Sequence, residues 1–218
     1  MLGLKLEPSG GSLLRILCIG AHCDDIGIGC GGTLRVLQRR DGPVRLDYVV
    51  LSGTMERRRE AQDAMERLVQ PGSRGRLVCG DFQDGAFPSA YGQVKAFFEA
   101  VKQEIVPDVI FCHERDDRHQ DHRIVNEMVW STFRDQLVLE YEVPKWDGGL
   151  GQPNVFVPLA NEDAEAKVDT LLNCYKSQLG RDWFTHDTFM ALLRLRGLEC
   201  RAPSGYAEAF HGRKLSLV

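Results

Sequence analysis

Short apolar runs alternate with longer amphipathic stretches through the first two-thirds of the chain. Leu14–Gly20, Arg45–Leu51, Arg76–Cys79, Val109–Cys112 and Leu137–Tyr141 are rich in Val, Ile and Leu, as befits strands buried on both faces of a parallel sheet. Gly32–Arg39, Glu56–Val69, Tyr91–Glu104 and Asp121–Phe133 lie between them and read as helices. In the second of these, Ala61, Ala64, Met65 and Leu68 recur at three-four spacing and predict a face laid on the sheet. Strand and helix in this order imply right-handed βαβ crossovers. The expected fold is α/β: a doubly wound, Rossmann-like, mainly parallel sheet with helices on both faces.

The last third changes character. Asn154–Pro158 predicts one more strand, Glu162–Tyr175 and Asp187–Arg196 predict helices, and Tyr206–Phe210 predicts a short closing strand. Gly10-Gly11 and Gly148-Gly149-Leu150-Gly151 are the loosest stretches and read as loops, not linkers. A single domain over 1–218 is therefore expected, with 143–218 as a C-terminal extension packed on the same core.

Composition narrows the function classes. At 218 residues the chain is long for one average domain and short for two. Its formal net charge of −4 gives no general attraction to nucleic acid or anionic membrane. No basic N-terminal stretch leads into an apolar run, and no run approaches the roughly 18 apolar residues of a membrane span, so neither a signal peptide nor a transmembrane helix is expected. The seven cysteines are scattered and form no CxxC pair. That pattern fits a reduced, cytoplasmic protein with buried thiols.

The chemistry concentrates in two short segments, Ala21-His22-Cys23-Asp24-Asp25 and His119-Gln120-Asp121-His122. Each comes after a predicted strand, the first and the fourth. In open α/β sheets ligands bind beyond the carboxyl ends of the strands, where strand order reverses. If these strands flank that point, the two segments face each other across one crevice. Either segment alone also fits a structural role, since Asp commonly caps a helix and Arg115–Arg123 reads on charge as a solvated loop. Together they supply two imidazoles and a carboxylate, the set a catalytic zinc takes while leaving a position for water. A further carboxylate and histidine are left over to move protons, which points to metal-assisted hydrolysis.

Three other features carry less. Gly27-Ile28-Gly29-Cys30-Gly31-Gly32 contains a GxGxxG string, but Asp24 and Asp25 stand between strand and glycines, where they would repel a pyrophosphate. The glycines are better explained by close backbone packing beside the metal loop. Arg58 and Arg59 read as a solvated helix face among acidic neighbours, whereas Arg57 opens its helix at the sheet's active edge and is a candidate substrate contact. Cys23 lies inside the cluster and is read as a non-ligand.

At these residues the chain resembles the LmbE/PIG-L family of zinc-dependent N-acetyl-sugar deacetylases. The family pattern Ala-His-Pro-Asp-Asp-Glu, then Gly-Gly-Thr, reads here Ala21-His22-Cys23-Asp24-Asp25-Ile26, then Gly31-Gly32-Thr33. Asp117-Arg118-His119-Gln120-Asp121-His122-Arg123 matches the second motif, and Arg57, Glu60, Ala64 and Leu68 match a typical helix. Tyr206-Ala207-Glu208-Ala209-Phe210 looks like a family ending. Cys23 and Ile26 depart from the pattern, in place of Pro and an acidic residue. The resemblance implies zinc, or another divalent metal such as Fe(II), on His22, Asp25 and His122, with Asp24 as general base. It makes His119 the electrostatic or acid partner, held by Asp121. A carboxylate bonded to His119 would raise its pKa and keep it cationic. Spacing alone does not separate Asp24 from Asp25 as ligand.

The expected activity is removal of an acetyl group from the amine of an amino sugar or sugar conjugate, a small-molecule partner. An amidase of a related sugar or thiol conjugate is the alternative within hydrolases. A non-haem iron oxygenase could use the same ligands, but such enzymes sit on all-β scaffolds with His-x-Asp spacing. A non-catalytic carbohydrate-binding protein would have no use for Asp24 and His119. Asp81–Ala90 and Lys145–Gly151 are the expected specificity loops, and a homo-oligomer is left open.

Overall fold

A computed structural model describes residues 3–8 and 12–216; Gly10-Gly11 lies outside the described residues. The chain runs β1 (Leu14–Gly20), α1 (Asp25–Leu37), β2 (Val44–Val50), α2 (Met55–Leu68), β3 (Arg74–Cys79), α3 (Tyr91–Glu104), β4 (Val109–His113), α4 (Gln120–Thr132) and β5 (Leu137–Tyr141). It continues through β6 (Val155–Leu159), α5 (Asn161–Cys174), α6 (His186–Cys200) and β7 (Tyr206–Gly212). The strands form one sheet in the order β3-β2-β1-β4-β5-β7-β6. β1 to β5 are parallel, and β7 runs antiparallel to both β5 and β6. Strand order reverses between β1 and β4, as the doubly wound reading requires.

Alternation along β1 sends side chains to two cores. Leu14, Ile16 and Cys18 join the face covered by α1, α2, α5 and α6, while Leu17 and Ile19 join the face covered by α3 and α4. Val125, Met128 and Val129 of α4 and Val94, Phe98 and Val101 of α3 fill the second face. Residues beyond 143 extend the same sheet and contribute Leu159, Val168, Leu171 and Phe210 to the first core. Among the described residues no helix is long and apolar enough to cross a membrane.

The first helix departs from the sequence expectation. It begins at Asp25, not Gly32, so the glycine run lies within a buried helix and not in a loop. Intrinsic propensity disfavours glycine there, but tertiary packing overrides it. A Cβ on Gly29 would overlap the Tyr141 ring, and one on Gly32 would strike Leu159. Glu208 reaches into the helix, accepting the N–H groups of Gly32 and Thr33 at 2.9 and 2.6 Å. Lys167, buried beside it, donates to Glu208 and to the Ile28 carbonyl at 2.6 and 2.5 Å. These contacts fix the helix whose first turn carries Asp25, and the glycine faces serve packing rather than a pyrophosphate. Gly29→Ala is expected to lower unfolding free energy by about 1–3 kcal/mol, the usual range for overpacking a core. Denaturant unfolding checks this, and an unchanged midpoint would show that α1 can move off Tyr141.

Candidate active site

β1 ends at Gly20 and β4 at His113, so the chain leaves two adjacent parallel strands at one edge of the sheet. The loop after β1 carries His22 and Asp24, and α1 opens with Asp25. The loop after β4 carries Asp117 and His119, and His119 is the N-cap of α4, whose first turn holds Asp121 and His122. The two segments meet as the crevice argument expects. Nδ1 of His22 and Nε2 of His122 are 3.3 Å apart. Asp25 places one carboxylate oxygen 3.4 Å from the first and the other 3.5 Å from the second. Donors around a tetrahedral ion at bonds of about 2.0–2.1 Å stand about 3.4 Å from one another, so this trio fits a small divalent metal.

Other carboxylates orient the trio. Oδ2 of Asp25 accepts the His22 backbone N–H at 2.6 Å and lies 3.1 Å from Nε2 of His113. Asp117 holds Nδ1 of His122 at 2.9 Å, and the Lys145 amine donates to both Asp117 oxygens at 2.9 Å. A carboxylate behind a ligating histidine sets its ring orientation and basicity. His113 is fully buried and stacks on His122 with centroids 3.7 Å apart. The group His113, Asp117 and His122 is also compact. There, however, the Lys145 ammonium already neutralises the carboxylate.

The electrostatics favour a cation at the trio. Burial and the neighbouring His113 push His122 down to about 3, leaving a neutral imidazole ready to donate a lone pair. Burial opposes charging of His22 too, but Asp25, with Asp121 and Asp84, outweighs it and holds His22 well above its ordinary value. That upward shift answers the field of three carboxylates, a field that a divalent ion would satisfy with His22 neutral. Asp25 is held well below the carboxylate range, because His122, His113 and His22 outweigh its burial. Asp24 goes the other way: burial and then Asp25 raise it against the pull of Arg57. Two adjacent aspartates thus differ in character. Asp25 faces imidazoles, whereas Asp24 pairs with Nη2 of Arg57 at 2.8 Å.

The pairing of His119 with Asp121 is corrected. The Asp121 carboxylate accepts the backbone N–H groups of Gly85 and Phe87 at 2.7 and 3.1 Å, and it lies 3.4 Å from Nε2 of His22. Only its backbone N–H reaches His119, donating to Nδ1 at 3.3 Å. Burial and then the charge of His22 lower the pKa of His119 and outweigh the Asp121 charge, which raises it, so the net shift is opposite to the expected one. An Nδ1 that accepts leaves the proton on Nε2, so His119 is a neutral donor here. The carboxylate of Asp121 is a brace for the 85–87 loop.

The cleft over these groups has a volume of about 220 Å³. Arg57, the expected substrate contact, lines it, as do Asp84, Lys145, Trp146, Gln178, Arg181 and Trp183. Asp84 and Lys145 fall in the two expected specificity loops. The roles of Asp117 and His113 escape sequence reasoning, although Asp117 opens the second motif. Gln178, Arg181 and Trp183 carry no sequence signal, because they approach from the connection between α5 and α6. Cys23 donates its thiol to the Ser52 carbonyl at 3.5 Å, and burial pushes it up to about 12, consistent with a non-ligand reading.

The Escherichia coli (strain K12) protein called uncharacterized deacetylase YaiS is 28% identical over 184 residues, 78% of this chain and 96% of that protein. Two crystal structures share the fold at low identity. GalB, the 4-carboxy-2-hydroxymuconate hydratase from Pseudomonas putida KT2440, superposes with a TM-score of 0.72 at 16% identity, over 94% of this chain and 98% of GalB. The A40926 pseudoaglycone deacetylase Dbv21 superposes with a TM-score of 0.69 at 16% identity, over 94% of this chain and 99% of Dbv21. The family described as PIG-L, GlcNAc-PI de-N-acetylase, matches residues 17–133. That span is more than half of the chain and takes in the end of β1, all of β4 and the polar segments after both strands. The chain belongs to the PIG-L family.

Proposed function

We propose that this protein is a metal-dependent N-deacetylase that hydrolyses the acetamide of an N-acetylated amino sugar or sugar conjugate. The convergence of His22 Nδ1, His122 Nε2 and the Asp25 carboxylate beside a separate, higher-pKa Asp24 carries the reading. A divalent metal held by His22, Asp25 and His122, zinc being suited to two imidazoles and a carboxylate, would polarise the acetamide carbonyl and acidify a water. Asp24 is the proton acceptor. Its raised pKa brings its basicity closer to the working pH, which suits a general base. The Arg57 guanidinium holds it at one oxygen and fixes its rotamer.

His119 acts through its Nε2–H, donating to the oxygen that gains charge as the amide carbon becomes tetrahedral. A neutral imidazole can do this without a carboxylate to keep it charged. Asp117 and Lys145 hold the His122 ring, and Asp121 braces the 85–87 loop that brings Asp84 to the cleft. The cleft, about 220 Å³, is below the roughly 300–1,000 Å³ of sites for drug-sized ligands, which suits a group the size of one sugar ring.

The fold also carries a hydratase, so the reaction itself is the test. Purified protein is expected to release acetate and a free amine from members of a panel of N-acetylated sugars, free, nucleotide-linked and lipid-linked, read by mass spectrometry. Protein that holds about one metal ion per chain yet releases no acetate from any of them would overturn the reading.

A further inference from the structure

The family match ends at residue 133, and part of the cleft's lining comes from beyond it. Trp146, Arg181 and Trp183 stand there. The other two long cations of the cleft are already paired: Arg57 with Asp24 at 2.8 Å and Lys145 with Asp117 at 2.9 Å. Arg181 is not. Its Nε donates to Oε1 of Gln178 at 2.8 Å, and its guanidinium lies over the Trp146 ring, 5.9 Å from the centroid. Among the described residues its two terminal nitrogens meet no carboxylate.

An exposed arginine without a partner is ordinarily just hydrated, but this one is held in place. Gln178 is buried, and its neighbour Ser177 is fastened to buried Glu60 of α2 through its N–H at 2.8 Å and its hydroxyl at 2.6 Å. The Arg181 backbone N–H closes the turn on the Gln178 carbonyl at 3.0 Å. Trp146 donates its Nε1–H to Asp182 at 2.7 Å and meets Trp183 edge-on, with centroids 6.1 Å apart. Nε1 of Trp183 is buried and meets no acceptor among the described residues. The result is a guanidinium held over the Trp146 indole, with Trp183 packed edge-on against that indole, on the wall of the same cleft.

We propose that Trp146, Arg181 and Trp183 form a recognition subsite for an anionic group, carboxylate or phosphate, on the part of the substrate attached to the amino sugar. The inference rests on the deacetylase reading and names its substrate class: an acidic sugar conjugate. The guanidinium fork matches the oxygens of either anion bidentately. The indoles offer flat apolar faces to the ring that links anion and amide. Asp24 and Asp25, buried at the floor, repel a second anion there. The acidic group is accordingly read at Arg181 and the acetamide at the floor.

Three compounds sharing one sugar separate the cases: methyl N-acetylglucosaminide, its carboxymethyl counterpart and N-acetylglucosamine 1-phosphate. At least one anionic compound is expected to show a KM about tenfold or more below that of the methyl glycoside. Which anion gains tells carboxylate from phosphate. In Arg181→Gln the ratio of the two KM values falls toward one, and Arg181→Lys, which keeps charge without the fork, lies between. Equal KM values in the wild-type protein, or a ratio that Arg181→Gln leaves in place, overturns the subsite while the deacetylase reading stands. If no compound releases acetate, titration of tryptophan fluorescence with the same three compounds decides alone. Quenching selective for an anion and lost in Arg181→Gln supports the subsite even as the deacetylase reading fails. Quenching without selectivity, or none, overturns it.

Discussion

Replacing His122 with alanine is expected to strip the metal from the purified protein and abolish acetate release. The imidazole is one of three donors that meet at a single point, and its loss leaves only His22 and Asp25 there. It also leaves Asp117 facing an empty space where it held Nδ1 at 2.9 Å. Because His122 is 1% exposed, the variant needs a check of folding by circular dichroism and thermal unfolding beside the metal assay. Asp117→Asn supplies the graded comparison. It keeps the shape of the side chain but removes the charge behind the ligand, so metal affinity should fall about 10–100-fold without vanishing. Alanine variants at His22, Asp25 and His122 that each keep about one ion per chain would refute the site.

The parts of this site legible in the sequence are those fixed by strand ends. Leu14–Gly20 and Val109–Cys112 stand out as apolar runs, and a parallel sheet brings the loops after such strands to one edge. That placement is enough to unite His22, Asp25 and His122 across about a hundred residues. The start of α1 is not legible, because Gly27, Gly29, Gly31 and Gly32 look like a loop until Tyr141, Leu159 and Glu208 are seen packed against them. The partner of Asp121 is hidden for a related reason. Its proximity to His119 in sequence suggests a pair, but at the first turn of α4 the carboxylate meets the backbone of residues 85–87, which no local pattern reveals. Arg181 and Trp183 come from a connection between helices with no periodicity to mark it, so only the fold brings them to the cleft.

Asp24→Asn is expected to lower kcat by about 10²-fold or more while metal content stays near that of the wild-type protein. The asparagine keeps the size of the side chain and can still accept from Arg57, but it cannot take a proton. The two aspartates, inseparable by spacing, differ in their neighbours. Asp25 lies against His22, His113 and His122, whereas the direct contact of the Asp24 carboxylate is with Arg57. If Asp24→Asn lost the metal and Asp25→Asn kept it, the two roles would be reversed. The pH profile supplies a second readout. A general base works when deprotonated, so kcat/KM falls as pH drops through the pKa of Asp24. Burial and then Asp25 raise that pKa in the metal-free protein, and a divalent ion held on Asp25 would offset the second of these causes. Arg57 pulls in the opposite direction, so Arg57→Gln should move the limb to higher pH. Asp24→Asn should remove it altogether. A limb that stays in place in both variants would assign the titration to another group and take the proton-accepting role away from Asp24.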